Sequence, residues 1–244
     1  MMTKPTKSSM WLRWPGAALM AMAIASQGQA LAALQVQATR LIHQGASPSA
    51  SLTLSNKSTL PYMAQTWLDS GDQSTMPDDL PMVIMPPLMR LEPGEEATLR
   101  TIYAGSGLPD DKESLLWINV QEIPPGSEMD NVLQFAIRTR IKLFYRPPNL
   151  GTTLDQAARS LSWRQRNGML LVTNTSPLHI TFVHVQGMPS AGPGKQIDLD
   201  MIAPGQSIST QLPTVESPST DTLRFGYIND HGGVSEIDNV PLAH

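Results

Sequence analysis

The chain has 244 residues, 41% of them hydrophobic and 16% charged, and no cysteine. That is enough apolar material for one large domain or two of about 100 residues each, and it excludes disulfides, thiol catalysis and cysteine-ligated metal. A formal net charge of −4 argues against nucleic acid or anionic lipid as the partner.

Residues 1–32 read as a cleavable signal peptide. Lys4, Lys7 and Arg13 come first, then the apolar run "GAALMAMAIA", then the small-residue site "ALA" at Ala30 to Ala32. Without its three cations, 17 Lys and Arg become 14 against 21 Asp and Glu, a net charge of −7. No later stretch approaches the roughly 20 apolar residues of a membrane span. The mature protein is expected to be exported and not inserted in a membrane.

From Leu34 onward the apolar period is two, the period of strands. Expected strands are "LQVQATRLI", "ASLTLSN", "YMAQTWLD", "MVIMPPLMRL", "ATLRTIY", "SLLWINVQEI" and "LQFAIRTRIKLFYRPP". Separated by Pro, Gly, Asp and Asn, they suit an immunoglobulin-like sandwich over residues 33–148, with Trp67 packed inside without a disulfide.

Past "RPPN" the segment "LDQAARS" suits a single helical turn. Strand signals then resume with "LSWRQR", the turn Asn167–Gly168, "MLLVTN", "HITFVHV", "KQIDLDMI", "SISTQLP" and "DTLRFGYIND". A weak repeat aligns "SLTLSNKSTLPYMAQTWL" with "MLLVTNTSPLHITFVHV", placing Asn56 against Asn174, and Pro93 against Pro204. The expected architecture is all-β, two tandem immunoglobulin-like β-sandwich domains, 33–148 and 149–244.

The stretch from Leu133 to Pro148 alternates for longer than such a domain needs. Its odd positions, Leu133 to Tyr145, put an apolar face on one side and would run on the order of 44 Å, against roughly 17 to 20 Å for an ordinary strand. Either the chain folds back over that face or bends between sheets, or the half from Leu133 to Ile137 overhangs the core as a strand for another chain. The charges pose a similar choice. Arg40 and Lys142 are either solvated surface cations or, where the first and last strands meet near the hinge, a convergent pair that holds a carboxylate.

The five histidines, His43, His179, His184, His231 and His244, form no metal-binding pattern, and no GxSxG, GxGxxG or P-loop is present. The reading is therefore non-enzymatic, with no metal and no cofactor.

The run "LPDDKESLLWINVQEIP", followed closely by "IKLFYRP", resembles the signature of the PapD-like periplasmic pilus chaperones, as do "ATRLI", "MPPLMRLEPGEEATLR" and "YINDHGG". The resemblance implies a boomerang of two immunoglobulin-like domains in the periplasm. It would bind pilin subunits by donor-strand complementation and deliver them to an outer-membrane usher. By motif, Arg40 and Lys142 match the anchor for the subunit's C-terminal carboxylate, and Leu133, Phe135 and Ile137 match the donor-strand residues. Glu113, Arg146 and Asp230 match an interdomain ion cluster. The short connection "PPGSEMDN" and the lack of cysteine resemble the short-loop branch that serves rod-like pili. His231 stands where the family more often has an aromatic residue, and the tail "GGVSEIDNVPLAH" carries no usable match. The alternative kept open is a structural or adhesive sandwich that is itself part of a surface fibre. The free chain is also compatible with self-association that hides its apolar strand.

Overall fold

The structure, a computed structural model, describes residues 32–71, 79–127, 131–189, 195–211 and 220–243. The signal peptide expected over residues 1–32 lies outside these apart from its last residue.

The first half forms nine strands: β1 (Leu34–Val36), β2 (Arg40–Gln44), β3 (Ser49–Asn56), β4 (Tyr62–Asp69), β5 (Met82–Met85), β6 (Leu88–Leu91), β7 (Glu96–Tyr103), β8 (Ser114–Ile123) and β9 (Arg138–Arg146). One sheet has the order β1-β3-β7-β5, the other β2-β9-β8-β4-β6. Leu52, Leu54, Leu99, Leu116, Ile118 and Leu143 share one buried cluster that these sheets enclose.

Two expected strands divide where the chain changes sheets. "LQVQATRLI" breaks into β1, antiparallel to β3, and β2, parallel to β9. "MVIMPPLMRL" breaks at Pro86 and Pro87, whose missing N–H groups cannot serve a ladder; β5 pairs with β7 and β6 with β4. Trp67 is not a core residue. On β4 the buried parity is Ala64, Thr66 and Leu68, so period two turns Trp67 to the opposite face, where it is only half-buried.

The second half forms helix α1 (Leu154–Arg159), then β10 (Ser162–Arg166), β11 (Met169–Thr173), β12 (Ile180–Pro189), β13 (Lys195–Ile197), β14 (Met201–Ile202), β15 (Ser207–Gln211), β16 (Thr220–Ile228) and β17 (Val234–Pro241). The sheets are β10-β11-β15 and β13-β12-β16-β17, with β14 also on β12. Trp163, Phe182 and Phe225 pack ring to ring in a second, separate core. The helical turn forms as expected, held by a reciprocal capping box in which Thr153 and Gln156 bond each other's backbone. "KQIDLDMI" is two strands rather than one, and the unmatched tail forms β17.

The repeat is structural. Asn56 and Asn174 are both fully buried. Asn56 donates to the Leu60 and Leu91 carbonyls at 2.8 and 3.1 Å and accepts from Ser58 N and Oγ. Asn174 donates to the Leu178 and Ala203 carbonyls at 2.8 and 3.1 Å and accepts from Ser176 N and Oγ. Each side chain satisfies a turn that would otherwise bury bare carbonyls.

His43 is buried, with Nδ1 3.0 Å from the Thr101 hydroxyl and Nε2 3.2 Å from the Ser47 carbonyl. Burial lowers its pKa, against the raising bond to Ser47. The unfolded chain then takes up a proton below its ordinary pKa of about 6.5 while the folded one does not. Stability present above that pH is lost as pH falls below it. His43→Gln is expected to flatten the dependence of unfolding free energy on pH between 7 and 5; equal slopes in urea titrations would contradict this.

Candidate functional site

Strand β9 supplies most of the site. It runs antiparallel to β8, with Trp117 opposite Lys142, and parallel to β2, with Arg40 opposite Lys142. The β2 ladder begins at that rung and ends at Gln44–Arg146. From Arg138 to Ile141, the β9 edge facing away from β8 therefore has no ladder partner among the described residues.

The regular strand starts at Arg138, not at Leu133 as the alternation suggested. Upstream, one backbone bond links Glu122 N to the Ile137 carbonyl at 3.0 Å. Leu133, Phe135 and Ile137 are 76%, 72% and 44% exposed, whereas Ile141, Leu143 and Tyr145 of the same parity are buried. The apolar face thus passes from core to solvent within one segment, and among the described residues nothing folds back to bury it.

Arg40 and Lys142 meet where the open edge ends. Lys142 is the more enclosed side of its one ion pair: its side chain is 16% exposed, and its Nζ is 3.8 Å from an Asp200 carboxylate oxygen that is almost wholly in solvent. The Arg40 guanidinium lies 5.6 Å from the Phe144 ring centroid and reaches within 3.5 Å of the Ile228 carbonyl, while its Nε is buried without a hydrogen-bond partner. Burial lowers the pKa of Arg40, opposed by Asp230 and Glu113. Burial also lowers that of Lys142, opposed by Asp200 and reinforced by Arg40. Two desolvated, mutually repelling cations on one rung stabilise an anion placed between them.

Arg146 brings the two halves of the chain together. Its Nη1 and Nη2 fork onto both carboxylate oxygens of Asp230 at 2.7 and 2.9 Å, and its Nε donates to Glu113 at 2.9 Å. Glu113 is 3% exposed. Its second oxygen accepts from the His179 backbone N–H at 2.9 Å and lies 3.1 Å from His179 Nδ1, while its own N–H donates to the Pro177 carbonyl. The Asn174 turn presents Pro177 and His179 to Glu113. On the other side, Asn229 organises the β16–β17 turn that carries Asp230, accepting from His231 N and Gly233 N. Gly232 in that turn has φ +80° and approaches Thr39 so closely that a Cβ would lie 2.8 Å from its hydroxyl.

The structure therefore brings Arg40 together with Lys142, and Glu113 with Arg146 and Asp230, while leaving Leu133, Phe135 and Ile137 outside the core. Sequence reasoning missed His179, whose partner is 66 residues away, and Gly232. It also missed the Asp69–Arg140 pair beside Lys142. Among the described residues, no group of three or more His, Cys, Asp or Glu is placed to hold a metal.

Two consecutive sandwiches joined through a buried ion cluster, with an open apolar edge ending at paired cations, define a class of protein. Residues 33–151 match Pili and flagellar-assembly chaperone, PapD N-terminal domain, and residues 156–239 match Pili assembly chaperone PapD, C-terminal domain. The chain belongs to this PapD-like family of pilus-assembly chaperones.

Among particular relatives, chaperone protein FimB/FhaD of Bordetella pertussis is 35% identical, covering 92% of this chain and 96% of its own. Chaperone protein PapD of Escherichia coli is also 35% identical, covering 83% and 84%. Of solved structures, the YadV chaperone is 33% identical with a TM-score of 0.72, covering 84% of this chain and all but 2% of its own. The SafB chaperone, solved in complex with the SafA pilin of Salmonella enterica, is 27% identical with a TM-score of 0.72, covering 86% and 98%. A chaperone role in pilus assembly follows, and the family points to a non-catalytic one.

Proposed function

We propose that this chain holds a pilin subunit by lending it the segment from Leu133 to Ile137 and anchoring the subunit's C-terminal carboxylate on Arg40 and Lys142. The observation that carries this reading is the β9 edge, open until the rung where the two cations stand. A guest strand bonded along that edge ends where β2 begins. With its carboxylate at Lys142, it runs parallel to β9, continuing the line of β2. Asp200 already brings a carboxylate to 3.8 Å from Lys142 Nζ, so the ammonium is accessible to such a group.

Leu133, Phe135 and Ile137 would each contribute about 1.5 to 3 kcal/mol on burial in the subunit's groove, before ordering costs. Each added strand hydrogen bond would contribute about 1 kcal/mol. Glu113, Arg146 and Asp230, joined by His179, would set the angle between domains 33–148 and 149–244. The two separate cores support that division. An export signal in residues 1–32 would carry the protein to the periplasm, where an outer-membrane usher would be its second partner; the chain's membership of the PapD-like family supports this reading. The short connection "PPGSEMDN" and the absence of cysteine support the short-loop branch.

The test is co-expression with a pilin subunit in a periplasm. Lys142→Ala is expected to lose co-purification and protection of the subunit while keeping wild-type thermal stability. Equal protection by the variant would refute the carboxylate anchor.

A further inference from the structure

Beside the anchor, a line of facing residues crosses four strands. Asp69 on β4 faces Trp117 on β8, Trp117 faces Lys142 on β9, and Lys142 faces Arg40 on β2. Arg140, two residues before Lys142 on the same parity, is a third cation beside this line. Its guanidinium lies 4.1 Å from the Trp117 ring centroid, and Lys142 Nζ lies 5.7 Å from the same centroid.

The two neighbours of that ring differ in what neutralises them. Arg140 binds the buried Asp69 carboxylate through Nη2 and Nε, and donates to the Gly71 carbonyl at 3.2 Å. Asp69 also accepts from Asn119 Nδ2 at 2.6 Å and Gly71 N at 2.7 Å. Burial raises the Asp69 pKa, but the bonds from Arg140, Asn119 and Gly71 lower it overall, so the carboxylate stays charged. The charge of Arg140 is thereby offset by a buried carboxylate that holds both its Nε and its Nη2. Among the described residues, the one carboxylate paired with Lys142 is, by contrast, Asp200 at 3.8 Å. A lysine ammonium on a flexible four-carbon stem needs something else to fix it, and a ring face attracts a cation while leaving its N–H donors available.

We propose that Trp117 is a positioning residue for the anchor: its ring, clamped by the Asp69–Arg140 pair, holds the Lys142 ammonium in place to receive a terminal carboxylate. This rests on the carboxylate-anchor reading above. The role is distinct from fold stability because it acts on one chemical group of the ligand.

The probe is a peptide of about ten residues alternating valine with lysine, matched in length to the stretch from Leu133 to Ile141, made with a free α-carboxylate and as its C-terminal amide. Affinities for both are measured on the full mature chain. Wild type is expected to prefer the acid by about ten-fold or more. Trp117→Ala is expected to cut that preference by about two- to five-fold. Trp117→Phe, which keeps a ring, should retain most of it. Trp117→Leu, which keeps an apolar side chain without a ring, substitutes for the alanine variant if that one fails to fold. An unchanged acid-to-amide ratio in the ring-less variants, or a phenylalanine variant as impaired as they are, would overturn the proposal. A wild type with no preference would instead overturn the anchor reading itself, and this inference with it.

Discussion

Arg146→Ala is expected to cost about 3–5 kcal/mol of unfolding free energy, the loss typical of removing one partner from a buried ion pair. Glu113 is 3% exposed, and among the described residues Arg146 is the one Lys or Arg paired with it. Without the guanidinium it becomes a buried charge facing the His179 backbone N–H, and Asp230 loses a two-pronged partner. Urea unfolding reads the loss directly. Arg146→Lys keeps a charge but not the planar fork, so it should fall between wild type and the alanine variant. A loss under about 0.5 kcal/mol for alanine would mean that the cluster behaves as solvent-screened surface pairs. Distances between spin labels on the two domains should also broaden in Arg146→Ala.

Phe135→Asp is the opposite kind of change. The ring is 72% exposed, so the free protein has little to lose, and unfolding free energy should stay within about 0.5 kcal/mol of wild type. Subunit binding should weaken by about 3 kcal/mol or more, because the apolar contribution vanishes and a carboxylate must be desolvated in its place. Calorimetric titration with a refolded subunit separates the two quantities. If the variant binds normally, the segment from Leu133 to Ile137 is not the lent strand. If instead it unfolds like a core mutant, that segment is buried in solution.

Much of this organisation is legible in residue types and spacing. Period-two alternation locates most of the strands, and the Asn56–Asn174 match identifies a duplicated turn whose hydrogen bonds coincide almost atom for atom. Alternation does not reveal which sheet a strand joins, since both sheets face one core. The switches between β1 and β2, and between β5 and β6, therefore pass unnoticed within continuous patterns. Trp67 illustrates parity overriding size: Ala64, Thr66 and Leu68 define the buried side, and the larger residue lies opposite. β17 escapes for a different reason. Leu223 faces Val240 while Phe225 faces Ile237, so one extra residue of β17 bulges out, and Asn239 takes φ +57° nearby. Its apolar residues Val234, Ile237 and Val240 then fall three apart, and the strand period disappears. The ion cluster is legible only through family resemblance, and then without His179, because Glu113, Arg146, His179 and Asp230 come from distant segments with no local pattern.

The twin asparagine turns have one further consequence. In the first domain the turn after Asn56 ends at Leu60, half exposed to solvent. In the second, the same turn hands its Pro177 carbonyl and His179 N–H to Glu113. A duplicated structural part has thus gained a second role, so that the hinge contact depends on how firmly the second domain's own turn is held. Asn56→Ala and Asn174→Ala should each destabilise by about 1–3 kcal/mol, but only the second should also loosen the interdomain distance distribution. Equal broadening in both would argue against this second role, in which a turn that completes one domain also sets the grip of the hinge.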